Sequence, residues 1–357
     1  MRYMKIVQSI NPCSEANPMF QVGLFDCQAR FEQLTDAGDP LVKLNEVIDW
    51  ELFRPELERI RDKERKSNAG RPPYDAVLMF KILILQSLYN LADDQMEFQI
   101  RDRLSFMRFL GLTVSTNAPD AKTIWLFREH LARDNMVRVL FERFDKFLNE
   151  SGFTAKKGQI VDASIIQSPR QRNGRQENQQ IKNGEVPQDW RQNKRRQKDT
   201  DARWTKKNGK TFFGYKNHVS TDVKHKLIRD YDVTDAAVHD SQVFEQILDT
   251  NNTSRDVYAD SAYRSREKLD ALAEQGFREH LQRKGYRNKK LTEKEIRGNR
   301  ARSKICSRIE HIFGVQAQRA GRLLVRTIGI VRAKAKIGLR NLAYNVDRYS
   351  TLVLTQA

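Results

Sequence analysis

Three carboxylates stand where an acid is costly. Asp162 interrupts the run Ile160-Val161-Asp162-Ala163-Ser164-Ile165-Ile166, which Gly158 opens. A short, nearly continuous apolar run is the pattern of a strand buried on both faces. An ionised carboxylate inside it is penalised unless it is paired or bound to metal. Asp260 closes a second such run, Val257-Tyr258-Ala259. Glu310 sits beside a stripe of Ile305, Ile309, Ile312 and Phe313, which recur at helical spacing. Taken singly, each acid is most simply an exposed one at a strand end or on a helix surface. Together, each closing or flanking an apolar element, they make a candidate site for a hard divalent cation.

The elements that must position them are legible as patterns. Residues 210–221 and 226–234 read as two β-rich runs joined at Asp222-Val223-Lys224-His225, a hairpin beside the Asp162 strand. On it, Lys216 and His218 are candidates for a phosphate contact, against the ordinary structural role of a lone histidine. Residues 239–248 read as helical with Asp240 as a cap, and His239 is a further candidate. A strand over 256–260, a helix over 264–274 and a strand over 276–281 complete the set. Upstream, residues 1–60 are mixed and 61–66 form a charged run. Pro72 and Pro73 precede residues 74–90, apolar almost all round, as in a helix at the centre of a domain. Asp93 or Asp94 is expected to cap the next helix, and further helices follow over 121–132 and 136–148. Short helices broken by Gly and Pro fit either a helix-turn-helix DNA reader or a bundle that only packs on the catalytic domain.

The 357 residues are 39% apolar and 31% charged, with a formal net charge of +18. Such an excess favours a polyanion, because counterions released from a phosphate backbone drive binding. Residues 170–210 hold few apolar side chains among Arg, Lys, Gln and Asn, with isolated Trp190 and Trp204. This composition predicts a segment without a core of its own. It is either a solvated tether or a strand-binding element with indoles for stacking. Arg195, Arg196 and Lys198 are its DNA-contact candidates, and residues 283–302 are a second basic stretch. Cys13, Cys27 and Cys306 lack Cys-x-x-Cys spacing, which argues against a zinc site and suits a reducing cytoplasm. The first residues show no signal-peptide pattern, and the longest apolar run, 76–88, is broken by Lys81 and Gln86. A soluble cytoplasmic protein without a membrane partner is expected.

Several words of this sequence occur together in one known family. They are Val161-Asp162-Ala163-Ser164-Ile165-Ile166, Gly214-Tyr215-Lys216-Asn217-His218, Val238-His239-Asp240, Ala259-Asp260-Ser261-Ala262-Tyr263 and Arg308-Ile309-Glu310-His311-Ile312-Phe313. Gly70-Arg71-Pro72-Pro73 lies upstream and Gly338-Leu339-Arg340-Asn341-Leu342-Ala343-Tyr344-Asn345 downstream. In this order they resemble bacterial insertion-sequence transposases of the D-D-E type, most closely the insertion-sequence "five" family. The resemblance implies an α/β catalytic domain of RNase H-like fold, a mixed sheet flanked by helices, behind an N-terminal all-α domain. It divides the chain into an N-terminal segment (1–60), a helical DNA-binding domain (61–150) and the catalytic domain (155–357). The last carries a basic insertion at 169–210 and a C-terminal helix.

For the site, the resemblance implies that Asp162, Asp260 and Glu310 hold two Mg²⁺ ions, with Mn²⁺ able to substitute and Asp162 bridging. Two such ions support in-line phosphoryl transfer. The implied partners are double-stranded DNA, as terminal inverted repeats and target, and a second copy of the chain on paired ends. The implied place of work is the nucleoid. The sequence departs from the family where Ser303, Cys306 and Ala317 replace the usual Tyr, Arg and Lys around the glutamate, and where Ser261 replaces a glycine. Arg302, Arg308 and Arg319 are candidates to compensate as DNA contacts. A metal-dependent nuclease without strand transfer, and a silent DNA-binding descendant of a transposase, are the competing readings.

Overall fold

The computed structural model describes residues 26–60, 72–287, 289–320 and 323–355. Cys13, the charged run at 61–66, Gly70 and Arg71 lie outside them. Eight helices come first: α1 (Asp26–Asp36), α2 (Pro40–Val47), α3 (Arg54–Arg59), α4 (Ala76–Tyr89), α5 (Asp93–Asp102), α6 (Leu104–Leu110), α7 (Ala121–Arg133) and α8 (Met136–Glu150). Local chemistry sets their starts. Asp39, Asp75 and Asp120 accept the amide hydrogens of Leu41, Leu78 and Thr123. Ten of the fourteen α4 residues are buried, so this helix runs through the core rather than along its edge. Asp93 does not cap α5 with its side chain. It takes two hydrogen bonds from the buried Arg128 at 2.6 and 2.8 Å, and Gln95 accepts the Ala92 amide instead.

The sheet follows: β1 (Gln159–Gln167), β2 (Arg203–Lys207), β3 (Lys210–Asp222), β4 (Ile228–Asp235), β5 (Asp256–Ala259) and β6 (Arg278–Leu281). β3 pairs antiparallel with β1 along one edge; along the other it pairs with β2 and then β4. β5 and β6 continue parallel to β1. Two short helices, α9 (Arg175–Lys182) and α10 (Gln192–Gln197), lie between β1 and β2. α11 (Arg266–Glu274) joins β5 to β6, and α12 (Glu293–Ala320) and α13 (Ile330–Leu354) close the chain. Where a helix was expected over 239–248 there are two 3₁₀ turns, Asp240–Gln242 and Glu245–Ile247.

Strand alternation divides the sheet into two faces. Ile160, Ile166, Tyr215, Val219 and Val233 point into one large core shared with α4, α8, α12 and α13. Val161, Val257 and Ala259 point into a smaller one with Phe244, Tyr263 and Leu272. Thus the helices before residue 150 and the sheet share one core. Buried Arg229 ties them further, bonding Asp222 of β3, Asp145 of α8 and the Phe153 carbonyl. α13 is stitched on by amides: Asn341 exchanges hydrogen bonds with Asn217, and Asn345 with the backbone of Ile228. Gly338 lets α13 approach this closely, since a Cβ there would collide with the Tyr231 hydroxyl and Val137. No single helix among the described residues is long and apolar enough to cross a membrane.

Candidate active site

Asp162 stands opposite Val219 in the β1–β3 register, so it projects from the large-core face, the side that α12 covers. In the parallel β1–β5 pair, Ile160 faces Tyr258. The pairing ends there; Asp162 lies two residues farther along β1 and Asp260 just past the end of β5, near enough for each charge to be felt by the other. Asp260 follows the last residue of β5, is exposed, and accepts the Ala262 amide at 2.7 Å, which caps a 3₁₀ turn. Burial pushes the Asp162 carboxyl up to about 6; Asp260 and Asp240 push the same way, against the Ala163 amide and Lys207. It therefore sits in a poorly solvated place, with a second acid as neighbour.

The third wall is α12. Ile309 and Ile312 are buried against the sheet, and Glu310 is exposed on the flank next to that stripe. At about 100° per residue, Ser303, Cys306, Glu310 and Ala317 share this flank. The thiol of Cys306 is pushed up to about 11 by burial and then by Asp162 and Asp260, so it is a neutral thiol beside both acids. Glu310 lies one turn farther along, ~6 Å on. Among the described residues no three His, Cys, Asp or Glu side chains stand close enough to share one ion. The three acids thus occupy neighbouring elements without converging.

Lys216 and His218 pair with Ile165 and Ala163, so they project from the opposite face to Asp162. The Lys216 ammonium donates to the Val238 carbonyl at 2.6 Å and pairs with Asp240 at 2.8 Å. His218 is buried against Thr234, and burial pushes its imidazole down to about 4, leaving it neutral. Neither presents a free cation to a phosphate. His239, rather than Asp240, caps the following turn through its Nδ1.

The arginines on α12 also differ from expectation. Arg308 and Arg319 lie on the flank away from Glu310, where Arg308 donates to the Val223 carbonyl and Arg319 pairs with Asp347. Arg302 is half-buried. Residues 170–210 carry ordered elements, and Trp190 is buried, so it offers no stacking surface; Trp204 is 43% exposed. Arg195 donates to the Pro187 and Gln188 carbonyls, Lys198 to Arg172 and Asn173, and Arg196 is exposed. Two residues near the acids had no role in the sequence reading. The Tyr263 hydroxyl is buried without a partner near Asp162, Asp240 and Asp260. Gln282 bonds Ser303 at 3.2 Å. Tyr263 belonged to a recognisable word, whereas Gln282 had no sequence signal.

A mixed sheet of this order, with one acid on its central strand, a second just past the end of the parallel neighbour and a helix bearing a third packed on both, is the RNase H-like architecture. The family model "Transposase domain (DUF772)" matches residues 29–130, and "Transposase DDE domain" matches residues 154–346. The second spans more than half of the chain, which therefore belongs to the DDE transposase family, enzymes that transpose DNA. A cryo-EM structure of a piggyBac transposase synaptic complex with hairpin DNA is similar at 11% identity and TM-score 0.46, over 89% of this chain and 76% of that one. Enzymes of this family work with divalent metal ions, and the donor chemistry fits: Asp162 and Asp260 offer hard carboxylate oxygens from neighbouring elements.

Proposed function

We propose that the protein binds the terminal inverted repeats of an insertion sequence, cuts there and transfers the freed strand to target DNA. In this reading Asp162, Asp260 and Glu310 hold two Mg²⁺ ions, replaceable by Mn²⁺, and paired ends are served by a homodimer. The observation that carries the reading is that Asp162 on β1 and Asp260 at the end of the parallel β5 lie on neighbouring elements against which α12, the helix of Glu310, is packed. When bound, such ions neutralise charge on the transferring phosphate. The chain's own part is to hold the carboxylates. β1 fixes Asp162 through its register and the Ala163 amide, and the 3₁₀ turn fixes Asp260. Ile309 and Ile312 anchor α12 so that Glu310 stays on the open flank.

The test replaces Asp162 or Asp260 by Asn, or Glu310 by Gln, and scores binding and nicking on one terminal-repeat duplex. Loss of an outer-shell partner typically costs 10–100-fold, so loss of a direct ligand is expected to cost more than about a hundredfold in cleavage. Binding should survive, and exposed Glu267 and Glu274 of α11 should tolerate Gln. Retained cleavage in Glu310→Gln would remove the third ligand. A duplex with a free 3′-hydroxyl end separates the readings: joining to a plasmid supports transposition, and hydrolysis alone supports a nuclease.

A further inference from the structure

Residues 283–304 hold ten Lys and Arg against two Glu, which supplies eight of the chain's +18. Both ends of this arm stand at the acids. Its first foot follows Gln282, whose amide donates to the Ala259 carbonyl next to Asp260. Its second foot is Ser303, which Gln282 bonds, one helical turn from Cys306. The base is braced: the Arg283 amide donates to Asn299, whose side chain returns a bond to the Arg283 carbonyl, and Arg283 pairs with Glu295. At the tip, Tyr286 and Lys289 exchange backbone hydrogen bonds in a tight turn.

That tip exposes Lys284, Arg287, Lys289 and Lys290 around Tyr286, which is 71% exposed. Arg283 is the arm's one cation in an ion pair among the described residues. Asn299 and Thr292, whose amide and hydroxyl could read base edges, are occupied by Arg283 and Glu295, which leaves the arm's cations as its free polar groups among these described residues. Unpaired cations bind phosphates, and phosphate contacts carry no sequence information. We propose that this arm holds target DNA of any sequence against the catalytic acids, with Tyr286 laid on a base or sugar. The assignment of the duplex as target rests on the transposition reading above.

The experiment uses the full chain with Lys284, Arg287, Lys289 and Lys290 all changed to Gln. All four are exposed, so the thermal transition should be that of the wild type, which checks folding. Affinity for a random-sequence duplex is followed against salt. Four lost phosphate contacts should flatten the slope of log affinity against log salt by about 3–4. Joining of pre-cut ends to a plasmid should fall more than about tenfold on the same ground, while nicking of the terminal-repeat duplex keeps most of its rate. An unchanged slope overturns the proposal, and so does an equal fall of nicking and joining. A flattened slope in a protein whose wild type neither nicks nor joins would keep the arm as a DNA surface and overturn the transposition reading instead.

Discussion

Residues 170–210 and residues 283–304 each contribute a net eight positive charges, yet the two segments are built differently. The first holds thirteen cations and five acids, and the acids organise it. Glu177 accepts from Trp190 at 2.6 Å and from the Gly174 amide at 2.7 Å, and it pairs with Lys194. Arg203 donates to the Ile181 carbonyl, and Asp199 caps the approach to β2 while accepting the Tyr215 hydroxyl at 2.7 Å. The second has two acids, both near the start of α12, and most of its cations face solvent. Ten of the thirteen cations in the first segment are exposed as well, so the two segments differ in how they are held together rather than in how much charge they show. In the first, half-buried Lys194, Lys198 and Arg203 help hold the fold around Glu177 and a buried indole; in the second, Glu295 and Asn299 brace only the base through Arg283.

The largest expected effect tests the anchor of the first segment. Tyr215 is fully buried, and its hydroxyl donates to both oxygens of Asp199. Tyr215→Phe removes a hydrogen bond to a charged group, which costs about 1.5–3 kcal/mol. Denaturant unfolding should show that loss, and limited proteolysis should cut within 170–210 before any cut in 283–304. Equal susceptibility of the two segments would break the contrast.

A smaller effect is expected on DNA. Arg195→Gln together with Lys198→Gln removes two cations already engaged with carbonyls and Asn173. The salt slope on random duplex should then change by well under the roughly 1.8 that two phosphate contacts would give. A drop of that full size would show that the first segment, too, binds the backbone.

Smaller again is a pH effect. The Lys194 ammonium, with the Gly174 amide and the Trp190 indole, holds the Glu177 carboxyl down at about 2. A depressed acid stabilises the folded form above its unfolded pKa of about 4.5, and that contribution is lost as pH falls toward 2. Protection from hydrogen exchange over 174–194, corrected for the intrinsic pH dependence of amide exchange, should fall across that window. In a Glu177→Gln protein it should be low already at pH 6. Corrected protection that does not change between pH 5 and 3 would remove Glu177 as the organiser.

How far the sequence carried depended on whether an element announces itself locally. The apolar runs around Asp162 and Asp260, the stripe beside Glu310 and the all-round apolar α4 are local patterns, and each element stands where its pattern lies. The facing of Lys216 and His218 is not local. It follows from the pairing of Ala163 with His218, and a one-residue difference in register reverses every side chain. The order within 170–210 hangs on Glu177 and Tyr215, thirteen residues from Trp190 and sixteen from Asp199. Low apolar content hid it. At 239–248 the His239 side chain competes for the backbone amides, which favours a tight turn where composition alone read as helix. The shared core was equally hidden, because contacts such as Phe141 on Tyr231, 4.8 Å between ring centres, join residues far apart in sequence.

The smallest expected effect concerns Glu295, the arm's counterpart to Glu177. Its carboxylate accepts the Thr292 amide and hydroxyl and pairs with Arg283, and the Thr292 amide first, then Arg283, holds its pKa at about 2. The electrostatics match those of Glu177, but the surroundings do not. The arm's base keeps the reciprocal Arg283–Asn299 bonds, and α12 continues into the core through Ile309 and Ile312. A Gln at 295 can still accept from Thr292. Glu295→Gln should therefore leave the thermal transition and the proteolytic pattern unchanged, whereas Glu177→Gln loosens its segment. With Arg283 released, the slope on random duplex should steepen by no more than about 0.9, the value of one further phosphate contact. A Glu295→Gln protein that loses its fold or its DNA affinity would show the arm to be organised by its acid after all, and the contrast between the two segments would fall.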